Sequence, residues 1–118
     1  MYRILAACIL FPTVAIADPA VVVNARAVAQ GGNSWTFHVT LRHDDTGWED
    51  YADGWQVEHP DGTVLGLRVL YHPHVNEQPF TRSLSKVIVP EGLSAIQIRA
   101  RTLTDGWGET TFNVDLTQ

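Results

Sequence analysis

The chain has few of the features that usually identify a fold or an activity. Its 118 residues include one cysteine, Cys8, which lies in an N-terminal segment that export would remove. A processed chain therefore has no disulfide, even in a compartment that permits disulfides. There is no Gly-x-Ser-x-Gly motif and no glycine-rich phosphate loop between a strand and a helix. Nucleophilic hydrolysis and nucleotide chemistry thus find no support, and the sequence favours a non-enzymatic protein.

Positive charge is also scarce. Eight lysines and arginines face thirteen aspartates and glutamates, and the formal net charge is −5. An acidic chain does not suit nucleic acid, whose phosphates are bound by basic surfaces. It is equally unsuited to anionic membrane surfaces. Cations, neutral sugars and basic protein segments remain as ligand classes.

The N-terminus has the pattern of a signal peptide over residues 1–17. Arg3 supplies the positive start, residues 4–14 are almost wholly apolar, and Ala15-Ile16-Ala17 is a small-x-small cleavage pattern. This predicts an exported protein, periplasmic or secreted, that folds from residue 18 onward. A buried strand or a membrane anchor is the alternative, but the apolar run is shorter than the roughly 20 residues that span a bilayer. Leu5-Ala6-Ala7-Cys8 also resembles a lipoprotein cleavage site, although it would leave too short an apolar region before the cut.

Residues 18–118 alternate between apolar and polar side chains, and glycine, proline and Asp-Gly turns interrupt them about every ten residues. This rhythm predicts a single all-β domain, an antiparallel immunoglobulin- or fibronectin type III-like sandwich of about seven strands. The paired cysteines of immunoglobulins are absent, so the prediction concerns architecture alone. The predicted strands are 21–28, 35–42, 55–59, 63–71, 80–89, 95–101 and 111–116.

Three polar and aromatic segments fall between these strands, at 43–55, 72–82 and 105–108. Loops of a sandwich gather at its two ends. A simple up-and-down path puts the first and third segments at one end and leaves the second at either end. We expect an exported binding module that contacts a protein or glycan of unknown identity through these loops, with no membrane span after signal removal.

A transition-metal site is the alternative function. In an extended chain the imidazoles of His72 and His74 point the same way, so one copper or zinc ion could contact both. His43 or Glu77 would complete the site. The two histidines could instead end a strand and cap a turn, since a lone His-x-His is a weak signal. The first segment could hold calcium through its acidic residues, but their spacing is not that of a known calcium loop.

Aromatic side chains in the loops are the candidate contacts for a protein or glycan, because a ring offers an apolar face and a polar edge. Glycines beside Trp48 and Trp107 would also let either ring fold back over the core. Arg82 could pair with an acidic neighbour rather than with a ligand. The predicted contact residues are Trp48, Tyr51, Asp53, Trp107 and Arg82.

The same three loops carry a family resemblance. The segment from Leu70 to Leu84, LYHPHVNEQPFTRSL, is its longest motif, and Gly106-Trp107-Gly108 is another. Shorter ones are Ser34-Trp35-Thr36-Phe37, Leu41-Arg42-His43 with Asp45-Thr46-Gly47-Trp48, and Tyr51-Ala52-Asp53. Together they resemble a small family of exported bacterial single-domain proteins without an assigned activity. The resemblance implies an exported single domain and nothing more specific.

Overall fold

The computed structural model describes residues 18–117, which form an all-β structure. The predicted signal peptide, residues 1–17, and Gln118 lie outside the described residues. Within the described range no helix is long and apolar enough to cross a membrane. The strands are β1 (Val21–Gly31), β2 (Ser34–Arg42), β3 (Ala52–Glu58), β4 (Val64–Val69), β5 (Phe80–Ile88), β6 (Ala95–Thr102), β7 (Gly106–Trp107) and β8 (Phe112–Asp115).

Two antiparallel sheets build the sandwich. The first has the order β1-β2-β5, and the second has the order β4-β3-β6, with β7 and β8 both pairing with β6. In constant-type immunoglobulin domains the fourth strand joins the sheet of the first two. Here β4 pairs with β3 instead, which is the arrangement of fibronectin type III domains. The predicted fold class is confirmed.

The strand count differs from the prediction at one place. The segment 105–108, predicted as a loop, contains the two-residue strand β7. Trp107 pairs with Arg101 of β6, whereas Phe112 of β8 pairs with Ile98. The residues between β7 and β8 therefore form a bulge in one split edge strand. The structure has eight strands because this edge is interrupted.

The core follows the alternation of the sequence. On β2, Trp35, Phe37, Val39 and Leu41 are all at most 4% exposed. Trp55 of β3 is completely buried among them and the inward side chains of β6. Alternate residues of a strand point to opposite faces, so a period-two sequence places its apolar set on the inner face of the sheet.

One carboxylate is buried on the outer face of the second sheet. Glu58 is 1% exposed and accepts hydrogen bonds from Arg99 Nε at 2.8 Å and from Gln97 Nε2 at 2.8 Å. Gln56 also donates to it. Burial would raise the pKa of Glu58, but the bonds from Arg99, Gln97 and Gln56 outweigh burial and hold the pKa below its ordinary value. Glu58 is therefore ionised and links β3 to β6 through its ion pair with Arg99.

Candidate functional site

The three segments singled out in the sequence meet at one end of the sandwich. Leu41 at the end of β2 pairs with Phe80 at the start of β5, and Ala52 at the start of β3 pairs with Thr102 at the end of β6. The connections β2–β3, β4–β5 and β6–β7 thus lie together at one end of the sandwich, and residues 18–20 lie with them. We call residues 18–20, 43–51, 70–79 and 103–105 the loop end.

Hydrogen bonds donated by backbone N–H groups connect these loops to one another. Leu103 N donates to Tyr51 O at 2.9 Å, which joins the last loop to the first. His74 N donates to Asp45 Oδ2 at 2.8 Å, which joins the second loop to the first. Asp18 N donates to Asp105 Oδ2 at 3.0 Å and fixes the start of the described chain. The sequence did not determine at which end of the sandwich the second segment lies. The structure places it at the same end as the first and third segments.

A buried histidine–aspartate pair holds the loop end together. His43 is 3% exposed and Asp45 is 6% exposed. His43 Nδ1 donates to Asp45 Oδ1 at 2.7 Å, and the same oxygen accepts from Ala52 N at 3.0 Å. His43 Nε2 donates to the backbone oxygen of Asp18 at 2.9 Å. Because both ring nitrogens face acceptors, the imidazole is fixed in orientation from both sides.

The surrounding charges favour the protonated form of this ring. Burial would lower the pKa of His43, but the hydrogen bond to Asp45 and the charges of Asp18, Asp45 and Asp50 outweigh it. The pKa is therefore raised above its ordinary value. The carboxylates around His43 thus stabilise positive charge at this position.

Gln78 connects the same pair to the second loop. Its Oε1 accepts from His43 N at 3.0 Å, and its Nε2 donates to His74 O at 3.0 Å. One side chain thus bonds both loops through its two ends. Gln78 lies within the longest family motif, but no spacing in the sequence marks its amide as a partner of His43.

His72 and His74, the predicted copper or zinc pair, have different surroundings. His74 is stacked on Phe80 with 4.0 Å between ring centroids, and its Nε2 accepts from Arg82 Nη2 at 2.8 Å. Burial, and then the charge of Arg82, lowers the pKa of His74. His72 is exposed, with its ring centroid 6.2 Å from that of Trp48.

The four predicted ligands do not come together as a group. Within residues 18–117, no three ligating atoms of His72, His74, His43 and Glu77 lie within 4.8 Å of one another. The chain bends at His72, and His74 packs on Phe80 while His72 stays at the surface. Arg82, predicted to contact a partner, lies on β5 and bonds His74 instead of remaining free.

A different group of three residues does have its ligating atoms close enough to share one metal ion. One ligating atom each from Asp18, His43 and Asp50 lies within 4.8 Å of the other two. The sequence predicts His43 as a ligand but marks neither aspartate as its partner. Asp18 follows the predicted cleavage site, and Asp50 is one of several acidic residues in the first loop. No local spacing indicates a group that is drawn from three separate positions.

Two aromatic residues of the loop end are exposed, and Tyr51 is half-buried. Trp48 is 64% exposed and Tyr71 is 65% exposed. The Trp48 ring is edge-on to Tyr51, with 5.8 Å between centroids. The alternative that Trp48 folds back over the core does not hold, because most of the ring is exposed. An aromatic side chain is thus presented to solvent on a loop whose base is fixed.

Trp107 and Asp53 lie beside this aromatic group, on the outer face of the second sheet. The guanidinium of Arg101 lies 4.9 Å from the centroid of the Trp107 ring and donates to Asp53 Oδ1 at 3.0 Å. Trp107 is 38% exposed and borders a groove of about 330 Å³ with Pro19. Asp53 is on β3 rather than in the first loop, and its charge is already paired.

Comparison with known proteins gives one informative match. The chain is 44% identical over 94 residues to a protein of Halomicrobium mukohataei named "Putative lipoprotein". The aligned part is 80% of this chain and 46% of that protein, so the chain spans about half the length of its relative. No family model matches, and no solved structure matches. The chain therefore has a homologue with a lipoprotein name, which supports a small family without an assigned activity.

Proposed function

We propose that the protein is an exported binding module whose loop end binds a basic protein segment. The observation that carries this proposal is the exposed ring of Trp48, presented on a loop whose base is fixed by buried hydrogen bonds. A rigid aromatic side chain contributes contact area with little loss of conformational entropy on binding.

Charge supports a cationic ligand. Asp18, Asp44, Glu49, Glu77 and Asp105 are all exposed in the three loops and the N-terminal segment. Lysine and arginine side chains bind the faces of tryptophan rings, and surrounding carboxylates strengthen that attraction. A basic segment satisfies both features at once, whereas a neutral glycan would use the ring alone.

Rigidity supports binding at this end rather than elsewhere. Gln78 and Asp45 bond the second loop to the first, so the exposed rings are held in one arrangement before a ligand arrives. Preorganised surfaces lose less entropy on association than mobile ones.

Export is proposed on two grounds. Residues 1–17 have the signal-peptide pattern, and the relative from Halomicrobium mukohataei has a lipoprotein name. Either a free exported protein or one attached to the envelope would present the loop end to other exported proteins. Cleavage before Asp18, as the small-x-small pattern predicts, gives the free form.

Calorimetric titration of the exported, processed protein with a hexa-arginine peptide tests the binding proposal. The titration is made at about 0.15 M salt, where exposed charges alone are largely screened. We expect saturable binding that Trp48→Ala weakens by about 3- to 30-fold, the range of a cation–π contact. Ile88→Ala is the matched control, since Ile88 is 60% exposed at the far end of β5.

Equal affinities of the wild-type protein and Trp48→Ala for the peptide would contradict the proposal. A parallel titration with a neutral chitin tetrasaccharide separates the ligand classes. Saturation by the sugar with no binding of the peptide would show a glycan-binding module instead.

A further inference from the structure

We infer that Asp18, His43 and Asp50 bind one divalent transition-metal ion at the base of the loop end. Their ligating atoms lie within 4.8 Å of one another, although the residues come from the N-terminal segment and from two ends of the first loop. The inference does not rest on the proposed partner binding, because it requires no contact with the Trp48 ring.

His43 is oriented as metal-bound histidines are. Such histidines donate the second ring nitrogen to a carboxylate, which fixes the tautomer and makes the ligating nitrogen more basic. His43 Nδ1 donates to Asp45 Oδ1 at 2.7 Å, and Asp45 is itself held by Ala52 N and His74 N. This leaves Nε2 directed at Asp18, whose backbone oxygen is 2.9 Å away and accepts from it when no ion is bound.

Asp50 supplies an independent observation. Its Oδ1 is buried and has no hydrogen-bond partner among the described residues. A buried carboxylate oxygen without a partner is unfavourable unless a positive charge or a donor lies next to it. Asp50 as a whole is half-buried and belongs to the three-residue group, so a cation bound to its carboxylate would place a positive charge next to the unpartnered oxygen.

The spacing of His43 and Asp18 suits a small ion. Two ligands at about 2.1 Å from a tetrahedral zinc ion are about 3.4 Å apart. His43 Nε2 and Asp18 Oδ2 are 3.3 Å apart. The Asp18 side chain is 56% exposed, so the ion reaches the group from solvent without opening the core.

The donor set indicates the class of ion. One imidazole and two carboxylates suit zinc and neighbouring first-row ions. Calcium instead takes six to eight oxygens. His43 gives up its Nε2 proton to the solvent when the metal–nitrogen bond forms, and the two carboxylates balance the charge of the ion.

Zinc titration of the exported, processed protein tests the inference, with purification through a C-terminal tag that contains no histidine. We expect one zinc ion per chain and a rise in melting temperature on binding. Asp50→Asn and Asp18→Asn each weaken zinc binding by about tenfold or more. Asp44→Asn removes an exposed charge from the same loop and leaves the affinity within about threefold, since an exposed charge is worth little.

Three outcomes would overturn the inference. The first is no saturable zinc binding by the wild-type protein. The second is an equal loss of affinity in Asp44→Asn and Asp50→Asn, which would show attraction by net charge alone. The third is loss on His72→Ala with none on Asp50→Asn, which would place the ion at the surface histidine. Far-ultraviolet circular dichroism of each variant confirms that it is folded.

Discussion

Replacement of Asp45 by asparagine removes the charge at the centre of the loop end and changes little else. In the wild-type protein its two oxygens accept from His43 Nδ1, Ala52 N and His74 N at 2.7, 3.0 and 2.8 Å. Asparagine keeps the shape of the side chain but has one acceptor oxygen where aspartate has two. Its NH2 group would point hydrogens at an N–H group that also needs an acceptor. At least one buried N–H then loses its partner.

The size of the effect follows from burial. Both side chains of the His43–Asp45 pair are 0% exposed, so solvent does not screen the loss. Removing one partner of a buried charged pair costs about 3–5 kcal/mol. For a domain of this size each kcal/mol lowers the melting temperature by about 4–8 °C. We therefore expect Asp45→Asn to melt at least about 12 °C below the wild-type protein.

Thermal melts and urea titrations of Asp45→Asn and Asp44→Asn measure this difference at neutral pH. Asp44 precedes Asp45 in the chain but is exposed, so its replacement should change stability by about 0.5 kcal/mol or less. Melting temperatures of the two variants that agree within about 3 °C, less than 1 kcal/mol on this scale, would refute the structural role assigned to Asp45.

Further predictions concern buried and exposed residues elsewhere in the sandwich. Glu58→Gln should lower the free energy of unfolding by about 1.5–3 kcal/mol at pH 7, because the half-buried Arg99 loses its charged hydrogen-bond partner. Since the pKa of Glu58 is lowered by folding, its stabilisation is complete above the ordinary value of 4.5 and is lost as pH falls through the folded pKa. Urea titrations from pH 7 to pH 3 should therefore show that the difference in free energy of unfolding between wild type and Glu58→Gln becomes smaller below about pH 4. A difference that stays constant over this range would contradict the ionised state of Glu58. Trp48→Ala should change the melting temperature by no more than about 3 °C, as expected of an exposed side chain. Trp55→Ala should destabilise the protein by about 3–5 kcal/mol or prevent folding, and equal melting temperatures of these two variants would contradict the burial described above.

The predicted site was recovered only in part. His43, Trp48 and Tyr51 were recognised from composition and position, and the structure places all three at the loop end. The predicted pairing of His72 with His74 depended on an extended chain, and the backbone bends at His72. Asp18, Asp50 and Gln78 were not recognised as partners of His43, because no spacing in the sequence relates any of them to that residue.

Alternation of apolar and polar side chains determined the strands, their inward faces and the sandwich, because a period of two can bury an apolar set only as a sheet. Segment length and turn residues then determined where the loops fall. Tertiary structure alone decided which loop side chains are buried. His43, Asp45 and Gln78 meet because the register of β2 with β5 and of β3 with β6 brings distant residues to one end. Contacts of that kind depend on distances in space, which no local pattern of residues records.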